Sequence, residues 1–455
     1  MREHGFHTIT LGCKLNQFDG AAIEGELVRR GFTPEADRSR AGIVVINTCT
    51  VTHKADSEAR RLIRSVRRQN PQCTLLVTGC YAELDAAAVA AIDGVDRVFG
   101  NRDKPRLAPI LDELGLVTPA TTGDRGCDAS AELPRALHFG DRTRAFLKIQ
   151  EGCRLSCSYC IIPTVRGPSR SVAGSEILDT LGRLVRSGYR ETVLTGVNTG
   201  DYGLDLDPPS DLAGLLRQLL ASCGPTRIRL NSLEPLTVSD EIIDLMANEP
   251  RLAPHLQIPL QSGSETILRR MRRNYRLGAY LERLLAVRKA VPHAGLGADV
   301  IVGFPGETET TFRETCEFVE ASPLNYLHVF SWSPRPGTPA SDYPDRVRPA
   351  EVRDRSERLR RLGFNLGLRF RELQSGRTLD AVVLGPRPDD GRIRALTGNF
   401  IEVSLAPGSA ERGEVIQVVI ERVRPERTDA RRAGEPSWAS GSVRPDPSGF
   451  SRSKT

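Results

Sequence analysis

The chain is 455 residues long, which at about 150 residues per domain predicts three domains. Apolar residues make up 39% and charged residues 26%, an ordinary globular balance, and the net charge of +6 permits an acidic partner such as RNA without requiring one. No run approaches the ~18 apolar residues of a membrane span, so a membrane protein is excluded; the start, Met1 to His7, lacks a long apolar stretch and a small-residue cleavage site, so a cytoplasmic rather than a secreted protein is expected. In that reducing compartment the ten cysteines serve as metal ligands, catalytic groups or small buried side chains rather than disulfides.

Residues 6–12 predict a first strand running into a loop at Cys13, followed by a helix over about 17–30. The apolar run at 42–47 predicts a buried parallel strand, and a basic helix over about 55–69 carries Arg60, Arg61, Arg64, Arg67 and Arg68. A third strand at 74–78 ends at Gly79-Cys80. This alternation predicts a parallel sheet with right-handed crossovers, whose ligands gather at the carboxyl ends of its strands. Cys13, Cys49 and Cys80 each fall just after a strand, so they are scattered in sequence yet able to converge in space.

From Ala145 to about 340, six strand candidates (146–149, 191–194, 227–230, 256–258, 297–302 and 327–330) alternate with helices. Six such units suggest a full or partial barrel. A charged helix follows at about 349–374. Short runs between 376 and 424, separated by Gly, Pro, Asn and Asp, predict a small antiparallel barrel. The fold class is therefore α/β: an N-terminal open parallel α/β domain, a central partial (α/β) barrel and a C-terminal antiparallel β-barrel. The expected limits are 1–115, a linker at 116–140, 141–374, 375–425, and a disordered tail at 426–455 that has almost nothing apolar.

The strongest local signal is Glu151-Gly-Cys-Arg-Leu-Ser-Cys-Ser-Tyr-Cys160, which sets Cys153, Cys157 and Cys160 in a C-x3-C-x2-C pattern past a strand. Three thiolates without a nearby fourth Cys or His suit an iron–sulfur cluster better than a four-ligand zinc site; buried structural cysteines are the plainer alternative. The spacing, Tyr159 before the third Cys and the strand–helix array resemble radical S-adenosylmethionine enzymes. Thr10-Leu-Gly-Cys-Lys-Leu-Asn-Gln17, Asn47-Thr-Cys-Thr-Val-Thr52 and Val77-Thr-Gly-Cys-Tyr81 resemble the N-terminal domain of the methylthiotransferases within that superfamily. The similarity covers about residues 5–425.

The resemblance implies a radical SAM methylthiotransferase with two 4Fe-4S clusters, one on Cys153, Cys157 and Cys160 and an auxiliary one on Cys13, Cys49 and Cys80. It implies S-adenosylmethionine as cofactor, tRNA as partner, an electron donor such as flavodoxin or ferredoxin, and a TRAM-like RNA-binding module at 375–425; a monomer is expected. Leu194 to Gly203, Ser232-Leu-Glu-Pro235 and Arg269 to Tyr275 look most like the branch that methylthiolates C2 of N6-threonylcarbamoyladenosine at position 37 of tRNA. The branches acting on isopentenyladenosine, or on an aspartate of a ribosomal protein, are the alternatives. An RNA-binding protein with structural or redox-sensing clusters is a reading from another class.

Tyr159, Glu234, Gln261 and Gly303 are cofactor-binding candidates: Glu234 for the cofactor ribose or as an ordinary helix-start carboxylate, and Gly303 for close backbone approach or a plain turn. Arg166 is a candidate partner for a substrate carboxylate, with a surface salt bridge as its bland alternative, and Phe400 a candidate base-stacking ring. Arg269, Arg270, Arg272, Arg273 and Arg276 form the densest basic run, for tRNA phosphates or simple solvation. Cys73, Cys127, Cys223 and Cys316 have no motif around them.

Overall fold

The computed structural model describes residues 4–116, 139–140 and 142–439, so most of the expected linker and the last part of the expected tail lie outside it. The chain forms two compact units. One comprises residues 1–140, 151–168 and 333–341, the other 141–150, 169–332 and 342–455.

The first unit is built on a five-stranded parallel sheet. Thr33–Pro34 lies at one edge, followed by Gly5–Thr10, Ile43–Thr48, Thr74–Gly79 and Arg97–Val98. Because successive side chains point to opposite faces, the central runs supply two cores. Val44, Ile46, Leu75 and Val77 meet Ala59, Ile63 and Val66 of the helix His53–Gln69. Ile43, Val45 and Leu76 meet Ile23 and Leu27 of the helix Lys14–Arg29. Burial on both faces is why the sequence reads as an unbroken apolar run.

The second unit holds the six expected strands in two parallel triplets. Ala145–Lys148, Glu191–Thr195 and Arg227–Arg229 form one; His255–Gln257, Gly295–Val302 and Tyr326–Ser331 form the other. The Leu233 N–H donates to the Gln257 carbonyl at 3.3 Å, joining them into an open arc. Glu191 is fully buried beneath it, paired with Arg227 at 2.6 Å and Arg229 at 2.9 Å. Burial alone would raise the Glu191 carboxyl, but Arg229 and Arg227 outweigh it and hold the group well below the usual range. The other guanidinium N–H groups donate to the carbonyls of Asp380, Leu396, Thr397 and Gly398. Two buried arginines thereby fasten the arc to the C-terminal barrel.

That barrel is closed by five strands: Thr378–Pro386, Ile393–Thr397, Glu402–Leu405, Val415–Val423 and Thr428–Gly434. The last corrects the expectation that the module ends at 425 and that disorder begins at 426. Thr428-Asp-Ala-Arg-Arg-Ala-Gly434 lacks an apolar alternation, yet it pairs antiparallel with Val415–Val423, buries Ala430, and sets Arg431 and Arg432 against Glu421 and Glu414. Among the described residues no helix is long and apolar enough to cross a membrane.

Candidate active site

Cys13, Cys49 and Cys80 stand at the carboxyl rim of three neighbouring strands of the first unit. Cys13 is the residue before the helix Lys14–Arg29, Cys49 follows Ile43–Thr48, and Cys80 opens the helix Cys80–Leu84 directly after Thr74–Gly79. Two glycines let the turns close. A Cβ on Gly12, at φ +93°, would stand 2.7 Å from Cys49 Cβ and 2.9 Å from its sulfur; one on Gly79, at φ +100°, would stand 2.3 Å from the Thr48 carbonyl oxygen. Asn16 locks the rim by donating to the carbonyls of Leu11 and Thr48, both at 2.8 Å, while Asn47 donates to the Asn16 carbonyl. Thr50, Asp56 and Arg335 close a buried triangle with bonds of 2.6–2.7 Å beside Cys49. Burial pushes the Cys49 thiol up to about 11, with the Cys80 and Cys13 thiols adding to the rise and Arg166 opposing it.

The loop with Cys153, Cys157 and Cys160 belongs to the same unit. Its base is closed by the Cys153 N–H bonding the Gly167 carbonyl at 3.1 Å; a Cβ on Gly152 would collide with the Pro168 carbonyl oxygen at 1.9 Å. Cys157 is buried, and Cys153, Tyr159 and Cys160 are half-buried. The Leu155 N–H points at the Cys153 sulfur at 3.4 Å. The two cysteine sets adjoin: Cys80 packs with Ile161, the neighbour of Cys160, and with Val165. Asn101, which no sequence motif marked, donates both to the Cys80 sulfur at 3.6 Å and to the Val165 carbonyl at 2.9 Å.

Arg166 has partners other than a substrate. Buried at 3% exposure, it bonds Glu151 at 2.6 Å, Asp19 at 3.3 Å and the Asn16 side-chain oxygen. Lys104 supports the same Asp19 at 2.7 Å. The salt bridge is buried rather than at the surface, and it joins the cysteine loop to the helix after Cys13.

In the second unit, Glu234 pairs with Arg273, whose side chain is 2% exposed, so the densest basic run does not lie wholly in solvent. Burial raises the Glu234 carboxyl, and Arg273 opposes the rise. Gln261 at φ +63° and Ser232 at φ +57° hold left-handed backbone beyond two adjacent strands. That conformation costs about 1–2 kcal/mol per non-glycine residue, a strain found at binding sites. Gly303, at φ +78°, makes room for Val352: a Cβ there would stand 2.5 Å from the valine side chain, so packing accounts for this glycine without a ligand. Phe400 is half-buried beside other rings. Its ring lies 4.4 Å from that of His255 and 5.7 Å from that of Tyr326, with the Arg229 guanidinium 5.4 Å from its centroid. In the basic helix, Arg67 caps the Gly94 and Cys73 carbonyls and pairs with Asp96, while Arg60 bonds the Tyr81 hydroxyl.

Both cysteine sets offer soft sulfur donors only, which suits iron–sulfur ligation. Among the described residues no three His, Cys, Asp or Glu side chains surround a point closely enough for a single metal ion. A cubane asks for wider spacing, because its thiolates bind different irons. In donor chemistry, three sulfurs in each set, the cysteines match what such a group takes.

A parallel strand–helix arc that follows a three-cysteine loop defines the class, and the model of the Radical SAM superfamily matches residues 147–319. Residues 5–100 match the Uncharacterized protein family UPF0004. The threonylcarbamoyladenosine tRNA methylthiotransferase MtaB of Bacillus subtilis (strain 168) is 37% identical over 422 residues, 91% of this chain and 93% of the relative. The tRNA-2-methylthio-N(6)-dimethylallyladenosine synthase of Acidothermus cellulolyticus is 34% identical over 462 residues, 98% and 93% of the two chains. The radical S-adenosylmethionine methyltransferase TsrM of Kitasatospora setae shares the fold at a TM-score of 0.55 and 15% identity, over 75% of this chain and 77% of that one. The chain belongs to the tRNA methylthiotransferase family of radical S-adenosylmethionine enzymes.

Proposed function

We propose that the protein methylthiolates C2 of N6-threonylcarbamoyladenosine at position 37 of tRNA, using two 4Fe-4S clusters and two molecules of S-adenosylmethionine. The observation that carries the two-cluster part is the packing of Cys80 against Ile161, beside Cys160, within one compact unit. Cys153, Cys157 and Cys160 would hold one cluster; Cys13, Cys49 and Cys80 would hold the other. When bound, such a cluster with S-adenosylmethionine supplies the radical chemistry that an unactivated adenine C2–H, lacking an acidic proton, requires. The chain's own residues do the positioning. Asn16, Asn101 and Arg166 fix the thiol-bearing turns by hydrogen bonds, and the Thr50–Asp56–Arg335 triangle holds the turn after Cys49.

The threonylcarbamoyl substrate is supported by the motifs at 194–203, 232–235 and 269–275 and by the 37% identity to the Bacillus subtilis enzyme. A flavodoxin or ferredoxin as electron donor, a monomeric state and cytoplasmic residence belong to the same reading. The 34% identity to the Acidothermus cellulolyticus enzyme favours a second reading, N6-dimethylallyladenosine as target.

Expression in a host lacking its own tRNA methylthiotransferases, followed by mass spectrometry of tRNA nucleosides, separates the two. A 2-methylthio derivative of threonylcarbamoyladenosine is expected; the dimethylallyl derivative alone would select the second reading. Anaerobic reconstitution is expected to give about eight irons per chain, falling to about four when Cys153, Cys157 and Cys160 are all replaced by Ala. A triple variant that still cleaved S-adenosylmethionine would refute the assignment.

A further inference from the structure

The inner wall of the strand arc carries a polar network that no sequence motif marked. On the strand Tyr326–Ser331, alternate residues meet the helix Pro349–Glu372: Leu327 lies 3.1 Å from where a Cβ on Gly363 would stand, and the Ser331 hydroxyl is 3.4 Å from that of Ser356. Tyr326, His328 and Phe330 therefore point to the opposite face. Parallel register sets Gly297, Asp299 and Ile301 beside them, and Gln257 beside Gly297. The Tyr326 ring fills the space over Gly297, where a Cβ would come within 2.0 Å of it.

Three side chains meet in the middle of this wall. Gln257 Nε2 donates to Asp299 Oδ1 at 2.7 Å, and His328 Nδ1 lies 3.1 Å from the same oxygen. An ionised carboxylate only accepts, so His328 Nδ1 carries the proton, and the 3.1 Å approach of Gln257 Nε2 to His328 Nδ1 is two donors converging on one acceptor. In the neutral imidazole this orientation fixes the tautomer and leaves His328 Nε2 as a lone-pair acceptor. His328 is 44% exposed, while Asp299 behind it is 21% exposed. Next along the strand, Phe330 is 48% exposed with its ring 6.5 Å from that of His328, beside Ile301. The wall thus offers a flat apolar ring next to an oriented polar acceptor.

We propose that Gln257, Asp299 and His328 form a recognition site for the N6 substituent of the target adenine, with His328 Nε2 accepting a hydrogen bond from a urea N–H or hydroxyl of that substituent and Phe330 flanking the base. The proposal rests on the substrate reading above and names the residues that read it. A threonylcarbamoyl arm carries both kinds of donor. A dimethylallyl arm carries neither and would cover the imidazole without satisfying it. Sites built to hydrogen-bond a ligand reject an analogue lacking the partner group far more strongly than apolar pockets reject a size change. His328 acts as the specificity-determining residue, and Gln257 and Asp299 as positioning residues acting through it.

The test uses the reconstituted holoenzyme with anticodon stem-loops that carry either N6-threonylcarbamoyladenosine or N6-dimethylallyladenosine. KM, kcat and stem-loop Kd are measured for each, together with the Kd for S-adenosylmethionine. His328→Phe is expected to raise KM and Kd for the threonylcarbamoyl stem-loop by about 10- to 100-fold and to narrow its advantage over the dimethylallyl one. Asp299→Asn is expected to do the same more weakly, and His328→Gln, which keeps an acceptor oxygen, to recover part of the loss. Iron content and thermal melting report whether each variant is loaded and folded, and Gln257→Leu provides an independent removal should His328→Phe fail to fold. An unchanged ratio of the two stem-loops in every folded variant would overturn the proposal, as would a loss confined to S-adenosylmethionine binding. A wild-type enzyme that acts on the dimethylallyl stem-loop alone would overturn the substrate reading itself, which the variant ratios do not address.

Discussion

Replacing Arg166 by Gln tests whether the two cysteine-bearing segments are held together by this one guanidinium. Arg166 bonds Glu151 at 2.6 Å, Asp19 at 3.3 Å and the side chain of Asn16, with 1% of its own side chain exposed. The Glu151 bond is short and charge-assisted, worth about 1.5–3 kcal/mol. Asp19 keeps Lys104 at 2.7 Å, so its share is well below 1 kcal/mol by the same scale, and Asn16 loses one bond worth about 1 kcal/mol. The sum, about 3 kcal/mol, sits at the lower end of the range for breaking a buried ion pair. Hydrogen exchange of the apoprotein reads this locally, since an opening free energy lower by that amount speeds exchange by about a hundredfold. The acceleration is expected in residues 151–168 and in the helix Lys14–Arg29, with the C-terminal barrel as the internal control. Arg166→Lys, whose ammonium reaches fewer of the three acceptors, is expected to fall between. Wild-type protection in both segments of Arg166→Gln would refute the tie.

Glu191→Gln removes the carboxylate between Arg227 and Arg229 and is expected to destabilise the second unit by about 3–5 kcal/mol, read by denaturant unfolding of the protein. Because the folded Glu191 carboxyl lies below the ordinary value of 4.5, its contribution is fully present above that value and is lost as the pH falls towards the folded one. Acid unfolding should therefore be shallower in Glu191→Gln than in wild type. Gly79→Ala is expected to cost far more than an exposed Gly-to-Ala change, because its Cβ would meet the Thr48 backbone nitrogen at 2.5 Å and oxygen at 2.3 Å. The reconstituted variant should lose about half its iron, and full iron content would argue against Cys80 as a ligand. Phe400→Ala is expected to lower stability by about 1–2 kcal/mol, less than for a fully buried ring, through lost contact with His255, Tyr326 and Arg229, measurable as a lowered melting temperature.

Element type and order were legible because burial writes itself into local pattern. Ile43–Thr48 is buried on both faces and reads as an unbroken apolar run, and the strands of the arc lie within two residues of their expected positions. Thr428–Gly434 escaped because its stability comes from backbone pairing with Val415–Val423 and from ion pairs with Glu421 and Glu414, neither of which leaves a periodic apolar signature. The cysteine candidates stood out for a chemical reason. Sulfur donors in fixed spacing are rare enough to be read one dimension at a time, and each auxiliary candidate falls where a strand ends.

What the sequence by itself determined is therefore most of the elements, their parallel order and the six candidate thiol positions, all encoded by neighbours within a few residues. Tertiary structure alone decided which polar side chains are partners. Arg166 meets Asn16 across 150 positions, Gln257 meets Asp299 across 42, and Glu191 binds arginines 36 and 38 residues away. An arginine on a helix reads identically whether its guanidinium faces water or a buried carboxylate. Periodicity reports whether a side chain is buried, whereas the partner of a buried charge is set by the strand register and helix placement that bring distant segments side by side.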